Sequence, residues 1–216
     1  TGKIDVATHE NLDLAIGGTF DWTKNNIYSY GNSLMNSNNN GEATNTTWRA
    51  FGRFTHRLGS NDGESDGIIK NAYYSIMLDY SQTTFRQWDP THEDRLFNYG
   101  YVGKFGTNEV ANYGFRSDTT AFGYYQNGFR VLETTFDASD VNSELAAYTS
   151  NLYSYYDELG YTVRTTDDIQ AAGALINGQT PNTVYGLYNA TGNPYNSYAL
   201  SEQNQFRATA SGSADI

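Results

Sequence analysis

The chain has 216 residues, with 13 Lys+Arg against 24 Asp+Glu, a net charge of −11 and a pI near 4.5. Such a balance offers no broad basic face to a polyanion, so nucleic acid is not expected as a partner. The absence of Cys excludes a disulfide framework, a thiolate zinc site and a cysteine nucleophile, and an aromatic content of 15% is far too high for a disordered acidic tail.

No run of 18 apolar residues occurs, but membrane barrels also lack such runs, because their lipid-facing and lumen-facing residues alternate. The alternation therefore decides, and it begins at once: Ile4, Val6 and Thr8 against Asp5 and Ala7 predict the end of a strand. Over residues 12–23 the even positions read Leu12, Leu14, Ile16, Gly18, Phe20 and Trp22, and the odd ones Asp13, Ala15, Gly17, Thr19, Asp21 and Thr23. A period of two with one greasy and one polar face predicts a strand. A run of about 12 residues exceeds the usual soluble strand and matches the ~9–11 tilted residues that cross a bilayer.

Residues 47–58 place Trp48, Ala50, Gly52, Phe54, His56 and Leu58 on one face and Arg49, Phe51, Arg53, Thr55 and Arg57 on the other. Three arginines on one face predict a wet surface, solvated in a soluble sandwich or lining the lumen of a barrel, where Asp13 or Asp21 of a neighbouring strand is a candidate partner. Residues 71–81 put Ala72, Tyr74, Ile76, Leu78 and Tyr80 opposite Tyr73, Ser75, Met77, Asp79 and Ser81, with tyrosines near both ends, as in the aromatic girdles of a barrel.

The stretch 89–197 is too long for a bare loop. Residues 96–105 and 129–136 predict strands, and residues 143–159 predict a helix behind Ser143, with Leu145, Tyr148, Leu152, Tyr155 or Tyr156, and Leu159 at helical spacing. A shorter helix is expected over 166–176 after a capping Thr166 or Asp167, although Gly173 inside it costs about 1 kcal/mol relative to Ala. Turn chemistry at 190–197 leads to a last strand, 205–216. There Phe206, Ala208, Ala210, Gly212, Ala214 and Ile216 oppose Gln205, Arg207, Thr209, Ser211, Ser213 and Asp215.

Short links (9–11 and 59–67) alternate with long ones (25–45 and 89–197), the asymmetry of barrels with short periplasmic turns and long extracellular loops. On that rule 59–67 faces the periplasm. The expected organisation is strands over 1–88, an extracellular region with a hairpin and short helices over 89–197, and a strand over 198–216. The fold class is all-β, an antiparallel transmembrane barrel section of about five or six strands. Both ends of the sequence read as strand interrupted in mid-course, so a piece of a longer chain is expected. Asp13, Asp21, Arg49, Arg53, Arg57, Asp79 and Arg207 are expected to face the lumen. Leu12, Leu14, Ile16, Phe20, Trp48, Phe54, Tyr74, Ile76, Leu78 and Phe206 are expected to face lipid.

The succession TTWRAFGRFTHRLGS, IKNAYYSIMLDYS, HEDRLFNYGYVGKF, TPNTVYGLYNATGNPYNSY and NQFRATASGSADI resembles the barrel of the TonB-dependent outer-membrane receptors of the Bacteroidota, of the SusC-like or carboxypeptidase-regulatory-domain type. The resemblance covers nearly the whole chain. It implies an internal section of a 22-stranded barrel and energised uptake of an oligosaccharide, peptide or chelate across the outer membrane. The implied partners are the remaining strands and plug of the same receptor, TonB through parts outside this sequence, a surface lipoprotein and the lipid bilayer. No TonB box or plug is recognisable, so no functional residue of the family is carried over.

Other chemistry finds little footing. His9, His56 and His92 lie in separate segments without metal or triad spacing. The run 61–67 has oxygen ligands at alternate positions but lacks a correctly placed terminal Glu, and reads as an acidic turn. Neighbouring Glu93 and Asp94 point to opposite faces of a strand and do not converge. No catalytic residue, metal or cofactor is expected, and the chain does not read as an enzyme. Ligand binding is assigned to Tyr148, Tyr153, Tyr155, Tyr156, Tyr185 and Tyr188, whose flat faces suit sugar rings or peptides. The competing reading is a soluble, secreted β-sandwich or adhesin that binds glycan or protein through these tyrosine-rich loops.

Overall fold

The computed structural model describes residues 1–9, 11–58, 70–117 and 122–215. In chain order its elements are β1 (Gly2–His9), β2 (Leu12–Ile27), β3 (Gly41–Leu58), β4 (Lys70–Trp88), β5 (Gly103–Ser117), β6 (Phe122–Ala138), α1 (Ser143–Leu159), α2 (Thr166–Ala171) and β7 (Ala199–Asp215). The link 59–67 and its expected periplasmic position lie outside the described residues, as does Glu10 of the first short link. Two compact units result: one of Thr1–Asn25, Glu42–Gln87 and Ala199–Ile216, the other of Asn26–Gly41 and Trp88–Tyr198.

The first unit is a single sheet of order β1-β2-β3-β4-β7, with β1 and β7 at its edges. The long alternating runs set its register: Ile4 faces Ile16 and Val6 faces Leu14 across β1 and β2, and Ile76 faces Ala210 and Leu78 faces Ala208 across β4 and β7. Residues opposite one another share a face, so the even-numbered apolar positions form one continuous surface. The strands run to 16, 18, 19 and 17 residues in β2, β3, β4 and β7, longer than the alternation alone predicts. Among the described residues only Ala15, Gly41 and Asp79 are buried in this sheet. It has no apolar core layer.

The second unit holds the core. Val102, Leu145, Ala146 and Leu175 form one cluster, and Val163, Ile169 and Ala174 another; Phe105 packs against both. Burying Leu145 and Ile169, both fully enclosed, stabilises the unit by about 1.5–3 kcal/mol each. β5 and β6 pair as a separate antiparallel ribbon. The strand expected over 96–105 forms only at its end: Leu96–Asn98 is a 3-10 turn, Gly100 adopts φ +67° and the ladder starts at Gly103. The rest of β5 escapes a periodicity reading because register shifts at Asn108/Glu109 and Ala111/Tyr113 break the alternation.

Helix α1 spans the expected residues, but its N-cap is Asn142 rather than Ser143, and the Asn142 side chain does not cap it. The Asn142 amide donates instead to the Asn98 and Tyr101 carbonyls, and its oxygen lies 2.7 Å from His92 Nε2. The helix ends at Gly160, whose φ of +71° is the left-handed conformation that favours glycine. Helix α2 is capped by Thr165, not Thr166 or Asp167, and stops at Ala171. It is shorter than expected because Gly173, at φ +87°, leaves the helical region.

Candidate functional site

Every charged group named for the wet face lies on the odd-numbered side of the five-stranded sheet. Arg57 Nη2 sits 2.7 Å from Asp13 Oδ2, the cross-strand pair that the arginine row anticipates. Asp79, opposite Arg207 in register, receives Arg49 at 3.0 Å and Arg207 at 3.7 Å. Its carboxylate is almost wholly enclosed, whereas both guanidinium groups remain partly exposed. Lys3 and Asp5, which face Gly17 and Ala15, add a further pair at 2.8 Å. Thr55 and Ser75 hydroxyls lie 3.1 Å apart on the same side, as do Thr47 and Thr83. Asp21 and Arg53 are exposed.

The even-numbered side carries the residues named for lipid. Ile16 is 57% exposed, and Phe20 and Phe206 are each 68% exposed. Ile76, Leu78, Trp48 and Tyr74 are also exposed, while Leu12, Leu14 and Phe54 are half-buried between neighbours. Contacts here run along the surface: Trp48 packs on Tyr80 at 5.2 Å and Phe54 on Tyr74 at 6.1 Å, and Trp48 Nε1 donates to Gln82 at 2.9 Å. Ile4 and Val6, read from the sequence as strand but not among the residues named for lipid, extend this surface onto β1. Their signal was the same alternation, over a shorter run.

The tyrosines named for ligand binding all belong to the second unit but do not form one site. Tyr153 stacks on Phe136 at 5.8 Å and donates to the Thr134 carbonyl at 2.9 Å. Burial, and secondly the neighbouring Glu133, raises its pKa above the ordinary 10.0. Tyr148 packs against the first core cluster, and burial raises its pKa too, with Glu144 adding to the effect. Tyr155, Tyr156 and Tyr161 make a separate ring cluster with centroids 6.0 and 6.3 Å apart. Tyr156 and Tyr161 also line a cavity of about 410 Å³ with Arg164 and Asp168. Tyr188 pairs its hydroxyl with that of Tyr30 at 3.1 Å, and Tyr185 is exposed at φ +55°.

Asparagines organise part of this unit. Asn36 donates to Asn32 Oδ1 at 3.1 Å and to the Asn193 carbonyl at 2.6 Å, Asn189 donates to Asn32 Oδ1 at 2.6 Å, and Asn39 donates to Asn36 Oδ1 at 2.6 Å. Tyr195 lies directly over Gly41, where any β-carbon would meet its ring at 2.6 Å. Among the described residues no group of three or more His, Asp or Glu side chains is placed to hold a metal, and no helix is long and apolar enough to cross a membrane.

No family model, no curated protein and no solved structure matches this chain.

Proposed function

We propose that the chain is a section of the wall and outer loops of a TonB-dependent transporter of the SusC-like type in the outer membrane, taking up an oligosaccharide, peptide or chelate. The observation that carries this reading is the bare apolar face of the five-stranded sheet. Ile16, Phe20, Ile76, Leu78 and Phe206 stand exposed along strands long enough to cross a bilayer. A soluble sandwich puts such a face inside, against a second sheet; here the side with buried residues is the one that carries the ion pairs. In the proposed setting hydrocarbon covers the even side and water fills the odd side. Further strands of the receptor pair with the outer edges of β1 and β7, since an open sheet edge is not tolerated in lipid. The second unit forms extracellular loops. The plug, TonB and a surface lipoprotein complete the assembly.

The test is a pair of substitutions read by insertion into the outer membrane. Ile16→Arg, on the even face, costs roughly 2–4 kcal/mol or blocks insertion, whereas Thr19→Arg on the odd face costs far less. Equal tolerance at both positions, or a monodisperse detergent-free monomer, overturns the proposal in favour of a soluble binding module.

A further inference from the structure

On a chain of net charge −11, the polar side of the sheet runs against the average. At its odd-numbered positions Lys3, Arg49, Arg53, Arg57 and Arg207 stand against Asp5, Asp13, Asp21, Asp79 and Asp215, five cations to five carboxylates. Three of the cations lie four residues apart on β3, about 13 Å from one to the next. The outer two are neutralised, Arg49 by Asp79 and Arg57 by Asp13. The middle one, Arg53, is exposed and has no ion-pair partner among the described residues. It borders a groove of about 540 Å³ shared with Asp5, Asp13, Ala15, Thr55 and Arg57. Asp5 and Asp13 are each held by their own cation, at 2.8 and 2.7 Å, so the uncompensated charge in the groove belongs to Arg53. The Thr55 hydroxyl, 3.1 Å from that of Ser75, provides a polar neighbour on the same strand.

We infer that Arg53 is an anion-binding residue that receives a carboxylate or phosphate group of a solute in this groove. A guanidinium offers two parallel donors to either oxyanion, and the bidentate bond is the strongest such side-chain contact. The groove's two carboxylates, Asp5 and Asp13, are each paired with a cation other than Arg53. The inference rests on the reading that this side of the sheet is wet, and it adds a preference for anionic solutes.

The experiment follows arginine modification by phenylglyoxal in the detergent-solubilised chain, with mass spectrometry resolving each arginine. Arg53 is expected to react about fivefold faster than Arg49 or Arg57, and millimolar inorganic phosphate or citrate to slow it about fivefold, while glucose leaves it unchanged. Protection by phosphate alone assigns the phosphoryl class, by citrate alone the carboxylate class, and by both the shared chemistry. The same phosphate concentration should raise Tm in the native chain and in Lys24→Gln, and not in Arg53→Gln. Equal labelling of the three arginines without protection, or a phosphate-dependent rise in Tm that survives in Arg53→Gln, overturns the inference. If Arg53→Gln fails to fold, the labelling of the native chain still decides. A chain that is monodisperse without detergent defeats the membrane reading; a detergent-requiring chain without protection defeats only the anion site.

Discussion

Asp79 concentrates the electrostatics of the sheet. Its carboxylate is enclosed between strands yet held by two arginines that keep contact with solvent, so its pairing is neither a surface bridge worth little nor a fully buried one. Replacing it with Asn leaves two guanidinium groups facing each other, and because both are partly solvated the cost is expected at roughly 1–3 kcal/mol. Thermal unfolding of Asp79→Asn in detergent, followed by circular dichroism, measures it; an unchanged Tm would mean that the arginines find other partners. The Asp13–Arg57 pair was only partly legible in the sequence, which offered Asp13 and Asp21 to three arginines on one face without pairing them. The role of Asp79 was less so. It depends on β7 lying beside β4 across more than a hundred intervening residues, a neighbour relation that alternation alone does not specify.

At the scale of elements, helix α2 shows how a short segment is held in place. Asp168 Oδ2 accepts from the backbone N–H of Thr165 at 2.9 Å and of Arg164 at 3.2 Å, while Thr165 Oγ1 accepts from the Asp168 N–H at 3.2 Å, a reciprocal capping box. The Thr165 hydrogen bonds, first of all the backbone one, lower the Asp168 pKa below its ordinary value. A carboxyl group whose folded pKa is depressed contributes stability that is present above the unfolded value and lost as pH falls through the folded one. Hydrogen exchange of the peptide over 164–172, corrected for intrinsic rates, should therefore lose protection below the ordinary carboxylate range. Asp168→Asn should remove that pH step. The existence of both helices was readable from their spacing, but their caps were not. Asn142 is drawn off by partners distant in sequence, and the box at Thr165 begins one residue before the first expected cap, Thr166. The ribbon of β5 and β6 was the least legible element, because two bulges reset its alternation.

For the molecule as a whole, stability is divided unevenly. Apolar burial is concentrated in the second unit, whereas the five-stranded sheet relies on backbone ladders and ion pairs, together with whatever covers its greasy side. Leu145→Ala, at a fully enclosed site in the first core cluster, should cost about 2–5 kcal/mol. Hydrogen exchange should place the loss in the second unit and leave β2–β4 and β7 protected; a uniform loss across both would contradict the separation of cores. The exposed residues of the sheet were predictable because period two survives for a dozen residues at a stretch. The tyrosines were not sorted correctly by composition alone, since the same residue type serves as core stacking at Tyr153 and as an exposed ring at Tyr185.

The asparagine stitching around Asn32 and Asn36 has a consequence for durability. Amide-to-amide and amide-to-carbonyl bonds carry no net charge, so counter-ions do not weaken them and no proton binding switches them off, in contrast to loops tied by carboxylates and ammonium groups. A turn fastened in this way keeps its shape in brine, in dilute buffer and across wide swings of acidity, conditions under which an ionically laced turn would loosen.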